Sequence, residues 1–413
     1  MNADGRRIAE YFGLRRNLVV LLLVTLLLGM GEELWSRFMP KYLEILGASA
    51  LIVGVFGTLK DALDAVYQYP GGIISDRLGH RKALVVFNLL AIAGYVIYLL
   101  SRSWPLVFVG TLFVLAWSSL SLPATFSIVG DALPHSKRAI GFAAQSIIRR
   151  IPIIIAPPLG GLLLARAGFS HGMRVGFLIT IALALIAVFI QRRFYAQADL
   201  PTYKPPTESI VQQCRRIDPR LKRLLIADIL ARFAEGIPKP FVVLYVLNII
   251  RAGPEAFGLL TSLSMAVSVA VYIPVAKLAD RSRNKNQYVN LTFLFFALFP
   301  LAVALSRSMP LLALAFIVAG LREIAEPARK AMIVDLSRQE CSGRDVGTYY
   351  SLRQITVMPA SLIGGLLWGI SPYLPFYVAF GVGILGAALF AIYSHTPTPP
   401  HSHTISETGG TIA

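Results

Sequence analysis

The chain is poor in charge and poorer still in cysteine: of 413 residues, 15% are charged and two are cysteines, Cys214 and Cys341. The two lie far apart in polar segments, which excludes a disulfide scaffold and a paired-thiolate metal site. No nucleophile elbow, phosphate-binding loop or HExxH metal motif occurs, and the histidines read as loop or tail residues, so neither an enzyme nor a cofactor or metal is expected. Polar surface for a water-soluble core is also lacking. What the chain has instead is 55% hydrophobic residues and a mean hydropathy of +0.64. At about 20 apolar residues per crossing this supplies eleven or twelve membrane helices. The composition therefore points to an all-α polytopic membrane protein embedded in a lipid bilayer.

Acidic residues are the scarcer sign, 22 against 39 basic, for a net charge of +17. On a soluble protein that excess would suggest nucleic acid. Its distribution says otherwise. Apolar runs long enough to span fall near 17–42, 49–75, 83–101, 105–130, 141–165, 174–191, 222–248, 256–278, 287–305, 310–334, 347–370 and 373–393. The first resembles a signal-peptide core after Arg15 and Arg16, but Gly31-Glu32-Glu33 follows in place of a small-residue cleavage site, so it reads as a retained helix. Of the 39 Lys and Arg, 23 fall in the N-terminus and the loops on one side, 6 on the other and 10 inside spans. The positive-inside rule then places both termini in the cytoplasm of a cell-membrane protein, and nucleic acid is not an expected partner.

The organisation read from these breaks is a cytoplasmic N-terminus 1–16, a six-helix bundle 17–191, a Pro-rich basic linker 192–221, a second six-helix bundle 222–394 and a disordered cytoplasmic tail 395–413. The halves match at an offset of 204: Gly54, Pro70, Asp76 and Arg77 answer Gly258, Pro274, Asp280 and Arg281, and Pro123 and Asp131 answer Pro327 and Asp335. Arg149, Gly160 and Gly161 likewise answer Arg353, Gly364 and Gly365. A parallel six-helix repeat rocking about a central site is one architecture of secondary transporters.

At the end of the second span stands Gly71-Gly72-Ile73-Ile74-Ser75-Asp76-Arg77-Leu78-Gly79-His80-Arg81-Lys82. This resembles the signature loop of the major facilitator superfamily, G-x-x-x-D-R-x-G-R-R/K, matched by Gly72, Asp76, Arg77, Gly79, Arg81 and Lys82, with a degraded copy at Asp280-Arg281-Ser282-Arg283-Asn284-Lys285. The resemblance implies twelve transmembrane helices in two pseudo-symmetric bundles, with the first, fourth, seventh and tenth helices lining the pathway. It also implies a cytoplasmic gate in which Asp76 meets the start of the eleventh helix, Arg81 pairs with Asp131, and Arg281 or Lys285 pairs with Asp335. In the fifth span Ala156-Pro157-Pro158-Leu159-Gly160-Gly161 resembles the G-P-x-L-G-G end of the family's antiporter motif, with Ala156 departing from its first glycine. Pro157 and Pro158 should kink this helix, and the Gly160-Gly161 and Gly364-Gly365 pairs should let helices approach closely.

Ten basic and eight acidic residues fall inside the spans, where each would cost at least about 2.5 kcal/mol facing lipid. They must line a wet cavity or pair with one another. Asp228, Arg232, Glu235 and Lys239 form one stripe on the seventh helix; Arg322, Glu326 and Arg329 share a face of the tenth. The candidate substrate and proton pathway comprises Glu32, Glu33, Lys60, Asp61, Asp64, Arg149, Arg150, Arg232, Glu235, Arg322, Glu323 and Arg353. Buried carboxylates such as Glu32, Glu33, Asp61 and Glu235 could carry protons; Arg149 and Arg353 could grip an anion. The fourth span has no charge before Asp131, so the arginine motif of many proton-coupled family members is missing there. The expectation is a monomeric, proton-coupled secondary transporter of a small molecule, favoured as an exporter of organic compounds. Exchange of an anionic metabolite and a non-transporting receptor on the same fold stand as alternatives.

Overall fold

The structure is a computed structural model that describes residues 16–122, 124–125, 128–129, 138–195, 218–281, 285–324, 326–336 and 342–395. The described residues form helices and their connections, arranged as twelve rods. In chain order the unbroken rods are the second, Ala50–Leu78, the third, His80–Leu100, the fifth, Arg138–Ala167, the sixth, Phe169–Phe194, the eighth, Pro254–Arg281, the ninth, Lys285–Leu305, and the twelfth, Leu374–His395. The other five are interrupted, which the continuous apolar runs did not foretell.

The first rod is Arg16–Glu33, a 3-10 turn Ser36–Phe38 and then Met39–Ile45. The fourth is Trp104–Val114 followed by a π-helical widening Ala116–Leu120, the seventh is Pro219–Gly236 broken before Phe241–Leu244, and the tenth is Met309–Leu321 broken before Glu326–Asp335. The eleventh is Ser342–Val357 and Ala360–Ile370. Two of the breaks have covalent causes: Pro238 and Pro240 in the seventh rod and Pro359 in the eleventh lack the N–H that would continue the ladder. Four of the five broken rods are those the family resemblance assigns to the pathway. Backbone groups freed by a break can stay inside a membrane only against protein or a wet cavity.

Seven rods carry a stretch long and apolar enough to cross a membrane, and Trp104–Leu120 and Met309–Leu321 are shorter apolar helices. The remaining three, the second, seventh and eleventh, carry charges. Phe189, Ile370 and Ile392 are each more than 60% exposed. In water such side chains would forgo roughly 25 cal/mol per Å² of available burial, whereas a bilayer removes that penalty.

Two sharp joints set the hairpins. Gly79 joins the second and third rods at φ 80° and ψ 146°, and Gly168 joins the fifth and sixth at φ 81° and ψ 149°. Only glycine adopts that conformation freely, which gives the signature-loop glycine a backbone reason. The first half packs around Trp35, whose ring meets Tyr95, Tyr98 and Phe177 edge-on at 5.2–5.9 Å and whose Nε1 donates to Thr180 Oγ1 at 3.0 Å.

The halves are pinched at one end. A Cβ on Gly161 would lie 2.3 Å from the Pro254 carbonyl oxygen, and one on Gly54 2.6 Å from that of Ser361, so the fifth rod meets the eighth and the second meets the eleventh backbone to backbone. Thr58 Oγ1 accepts from Leu362 N–H at 3.1 Å, and the Ser262 hydroxyl donates to the Ile154 carbonyl. Farther along the same faces the packing opens: Tyr69 on the second rod, Ile147 on the fifth and Ile355 on the eleventh are each at least 56% exposed. The molecule is closed at the end bearing Gly47 and Arg251 and splayed at the end bearing Gly79.

Candidate functional site

The broken rods bring the intramembrane charges together. Asp228, fully buried, pairs with Arg329, accepts from the Tyr349 hydroxyl at 2.9 Å and lies 3.2 Å from Arg353 Nη1. Arg329 also bonds Glu326, which Arg232 reaches at 3.3 Å and Lys330 at 3.6 Å. Arg232 continues to Glu235 at 2.9 Å, and Glu235 to Arg322 at 3.3 Å. Phe296 and Phe299 roof this chain, with the Arg322 guanidinium 4.5 Å from the Phe299 ring and that of Arg232 4.8 Å from Phe296. The stripe expected on the seventh rod therefore exists, locked to the tenth and eleventh. Four arginines meet three carboxylates.

Among the described residues two ion pairs cross between halves. Lys239 Nζ lies 3.3 Å from Asp61 Oδ1, and Arg150 Nη2 lies 2.8 Å from Glu323 Oε2 while its Nη1 donates to Ser268 Oγ at 2.9 Å. Nearer the pinched end, Lys41 Nζ donates to Glu44 at 2.5 Å and to Asn248 Oδ1 at 2.6 Å, and Asn248 Nδ2 returns to Glu44 at 2.8 Å. Asn248 is the repeat counterpart of Glu44, so this cluster sits across the pseudo-twofold relation of the halves.

Between the halves, under the pinched end, lies a cavity of ≈120 Å³ lined by Glu32, Arg37, Lys60, Asp61 and Lys239 among aromatic and apolar side chains including Trp35, Phe56 and Tyr98. Glu32 accepts from Trp117 Nε1 at 2.9 Å, whereas Glu33 turns to Arg37 at 2.9 Å. Asp64 accepts from the Ser119 hydroxyl. Among the described residues Glu32, Lys60, Asp64 and Arg149 form no ion pair, and Arg149 is exposed toward the splayed region.

Apart from Glu33, which pairs with Arg37 on its own rod, the sequence-derived set divides into three. Arg232, Glu235, Arg322 and Arg353 join one network with Asp228, Glu326 and Arg329; Asp61, Arg150 and Glu323 bridge the halves; Glu32, Lys60, Asp64 and Arg149 stand outside ion pairs. Ser119, Ser268, Lys41, Glu44 and Asn248 were missed. Neutral or loop-adjacent residues give no hydropathy signal, but the 204-residue offset that pairs Ser119 with Glu323 and Ser268 with Asp64 would have found the two serines.

At the gate loop Asp76 is half-buried and Arg77 and Lys82 are exposed. Arg81 donates to the Arg192 carbonyl at the end of the sixth rod. Its expected partner Asp131, and the side chains of Asp280, Arg281, Lys285 and Asp335, lie outside the described residues. His80, read as a loop residue, is the first residue of the third rod and is buried with Nδ1 2.8 Å from Ser75 Oγ. Gly160 packs against Leu34 and Gly364 against Ile237, each at the break of the neighbouring rod, and Gly161 and Gly365 lie at the interface of the halves.

The family model of the Major Facilitator Superfamily matches residues 21–221 and 224–411, nearly the whole chain. The chain belongs to the major facilitator superfamily. It is similar to an uncharacterised transporter of the superfamily from Methanocaldococcus jannaschii, 22% identical over 397 residues, 91% of this chain and 94% of the relative. It is also similar to multidrug resistance protein MdtG of Escherichia coli, 24% identical over 399 residues, 92% of this chain and 94% of that one. A crystal structure of a POT family transporter in complex with 5-aminolevulinic acid superposes with a TM-score of 0.74 at 15% identity, over 92% of this chain and 96% of the other, which shows a shared fold. The protein is thus a multi-pass membrane transporter of the superfamily, with the two-bundle fold the sequence implied.

Proposed function

We propose that the protein is a proton-coupled exporter of small organic compounds, working as a monomer in the cell membrane with both termini and the splayed end in the cytoplasm. The observation that carries this reading is Glu32: a carboxylate in the cavity between the halves, held by an indole N–H and in no ion pair among the described residues. Such a group can exchange a proton with an aqueous cavity without breaking a salt bridge. The apolar and aromatic walls suit organic cargo. Similarity to proteins named multidrug resistance proteins supports organic cargo. Gly72, Asp76, Arg77, Gly79, Arg81 and Lys82 then serve as the cytoplasmic gate, idle while that side is open, and Asp61–Lys239 and Arg150–Glu323 hold the outer side shut.

A second reading, exchange of an anionic metabolite, rests on the four arginines set against Asp228, Glu235 and Glu326. Proteoliposomes with an imposed pH gradient separate the two. Export predicts dye movement driven by the gradient and proton release on adding cargo, both abolished in Glu32→Gln. Flux that needs a counter-anion inside and ignores the gradient would replace the exporter reading by the exchange reading.

A further inference from the structure

Four positions of the internal repeat form two corresponding sites, and only one is filled. In the second half Ser268 on the eighth rod donates to Glu323 of the tenth at 3.0 Å, and the Arg150 guanidinium from the other half docks on both, at 2.9 and 2.8 Å. Displaced by 204, Ser268 corresponds to Asp64 and Glu323 to Ser119, so the first half carries the same hydroxyl–carboxylate pair with its members exchanged. The Ser119 hydroxyl, 5% exposed, does bond the Asp64 carboxylate. The counterpart of Arg150, however, is Gln354, which brings no charge.

We infer that Asp64 and Ser119 form a docking site for the cationic group of an organic ligand, a protonated amine or a quaternary or iminium nitrogen, in the place that a guanidinium fills in the other half. The repeat itself supplies evidence that this geometry accepts a cation. A second observation is independent of it: Ser119 lies in the π-helical widening Ala116–Leu120, which also carries Trp117, the donor to Glu32. Such widenings are frequent at functional sites because the extra residue re-aims side chains. Here it aims two donors at two carboxylates, Glu32 and Asp64, neither of which is in an ion pair among the described residues. Asp64 is partly exposed, and one turn on Gln68 and Tyr69 are open toward the splayed end, so a ligand can reach it.

This inference names the substrate class of the exporter proposed above and rests on that reading. Its test is kept separable by measuring binding apart from flux. Ethidium, a permanent organic cation, is titrated into the purified full-length chain in detergent and read by fluorescence polarisation, with monodisperse elution as the check on folding. Asp64→Asn should weaken binding roughly tenfold, the scale of one charge-assisted contact. Gln354→Arg should weaken it at least as much while keeping every native carboxylate, because the installed guanidinium occupies the site as Arg150 does in the other half. Ser119→Ala gives a third, smaller loss and keeps the test alive if one variant fails to fold. Absence of ethidium binding by the folded wild-type chain, or unchanged binding in Asp64→Asn and Gln354→Arg, overturns the cation site. Gradient-driven flux of a neutral dye in the wild type reports on the exporter reading alone, whatever the titration gives.

Discussion

Asp228 shows how a charge can be tolerated at the depth where lipid would expel it. Its carboxylate has three arginines, Arg329, Arg353 and, at 3.9 Å, Arg232, and a tyrosine hydroxyl around it and no exposed surface. A buried pair assembled this way adds little net stability, yet removing one partner leaves an uncompensated charge. Arg329→Met should therefore cost about 3–5 kcal/mol, read as a lowered thermal midpoint in detergent. The double change with Asp228→Asn should recover part of that loss. Lys239→Met is expected to act differently: its side chain is 61% exposed and contributes under about 1 kcal/mol to folding, so the midpoint should barely move. What should change is the balance between states, because Asp61 loses its grip across the halves. A midpoint drop as large as that of Arg329→Met would assign Lys239 to the fold instead.

At the scale of helices, the breaks matter more than the spans. Each of the first, fourth, seventh and tenth rods is interrupted, and the breaks of the first and seventh pack on Gly160 and Gly364 of neighbouring rods. The sequence made the spans legible because hydropathy reports membrane thickness directly, and it made the charge stripe of the seventh rod legible because helical phase is a property of spacing. It did not reveal the π-helical widening at Ala116–Leu120, which contains neither proline nor glycine and depends on what its side chains meet. Nor did it assign partners. Arg149 and Arg353, equivalent in the repeat, differ: among the described residues one is exposed without an ion pair, the other is partly buried on Asp228. Periodicity fixes which face a residue occupies; neighbours from other rods decide what it binds. The glycine seams can be tested at this scale. Gly161→Leu places side-chain atoms where the Pro254 carbonyl now lies, so the fifth and eighth rods cannot close. Cysteine accessibility near Arg251 should then rise, and gradient-driven flux should fall to the level of empty liposomes. Gly79→Ala should cost about 1–3 kcal/mol through its backbone conformation alone.

The molecule as a whole is held in one of two required shapes. Its halves touch through glycine seams, two ion pairs and the Lys41–Glu44–Asn248 cluster at one end, and stand apart at the other. None of these bonds is both buried and fully paired in the manner of Asp228–Arg329, so the closed end can open without dismantling either half. The proposed orientation puts the splayed side in the cytoplasm, where the positive-inside rule expects the basic excess of the sequence. Alternating access then demands that the same surfaces exchange roles, with the gate loop around Asp76 closing as the Gly54–Ser361 and Gly161–Pro254 seams part. Spin labels on Tyr69 and Ile355 report the open end, and labels on Leu51 and Leu366 report the closed one; all four side chains are exposed. Pulsed distance measurements on the two pairs in lipid, with and without ethidium and at both extremes of pH, test this directly. The prediction is a reciprocal change, the Tyr69–Ile355 distance shortening as the Leu51–Leu366 distance lengthens, with Glu32→Gln holding one distribution at both pH values. Two distances that stay fixed under every condition, or that lengthen together, would contradict transport by exchange between these two shapes.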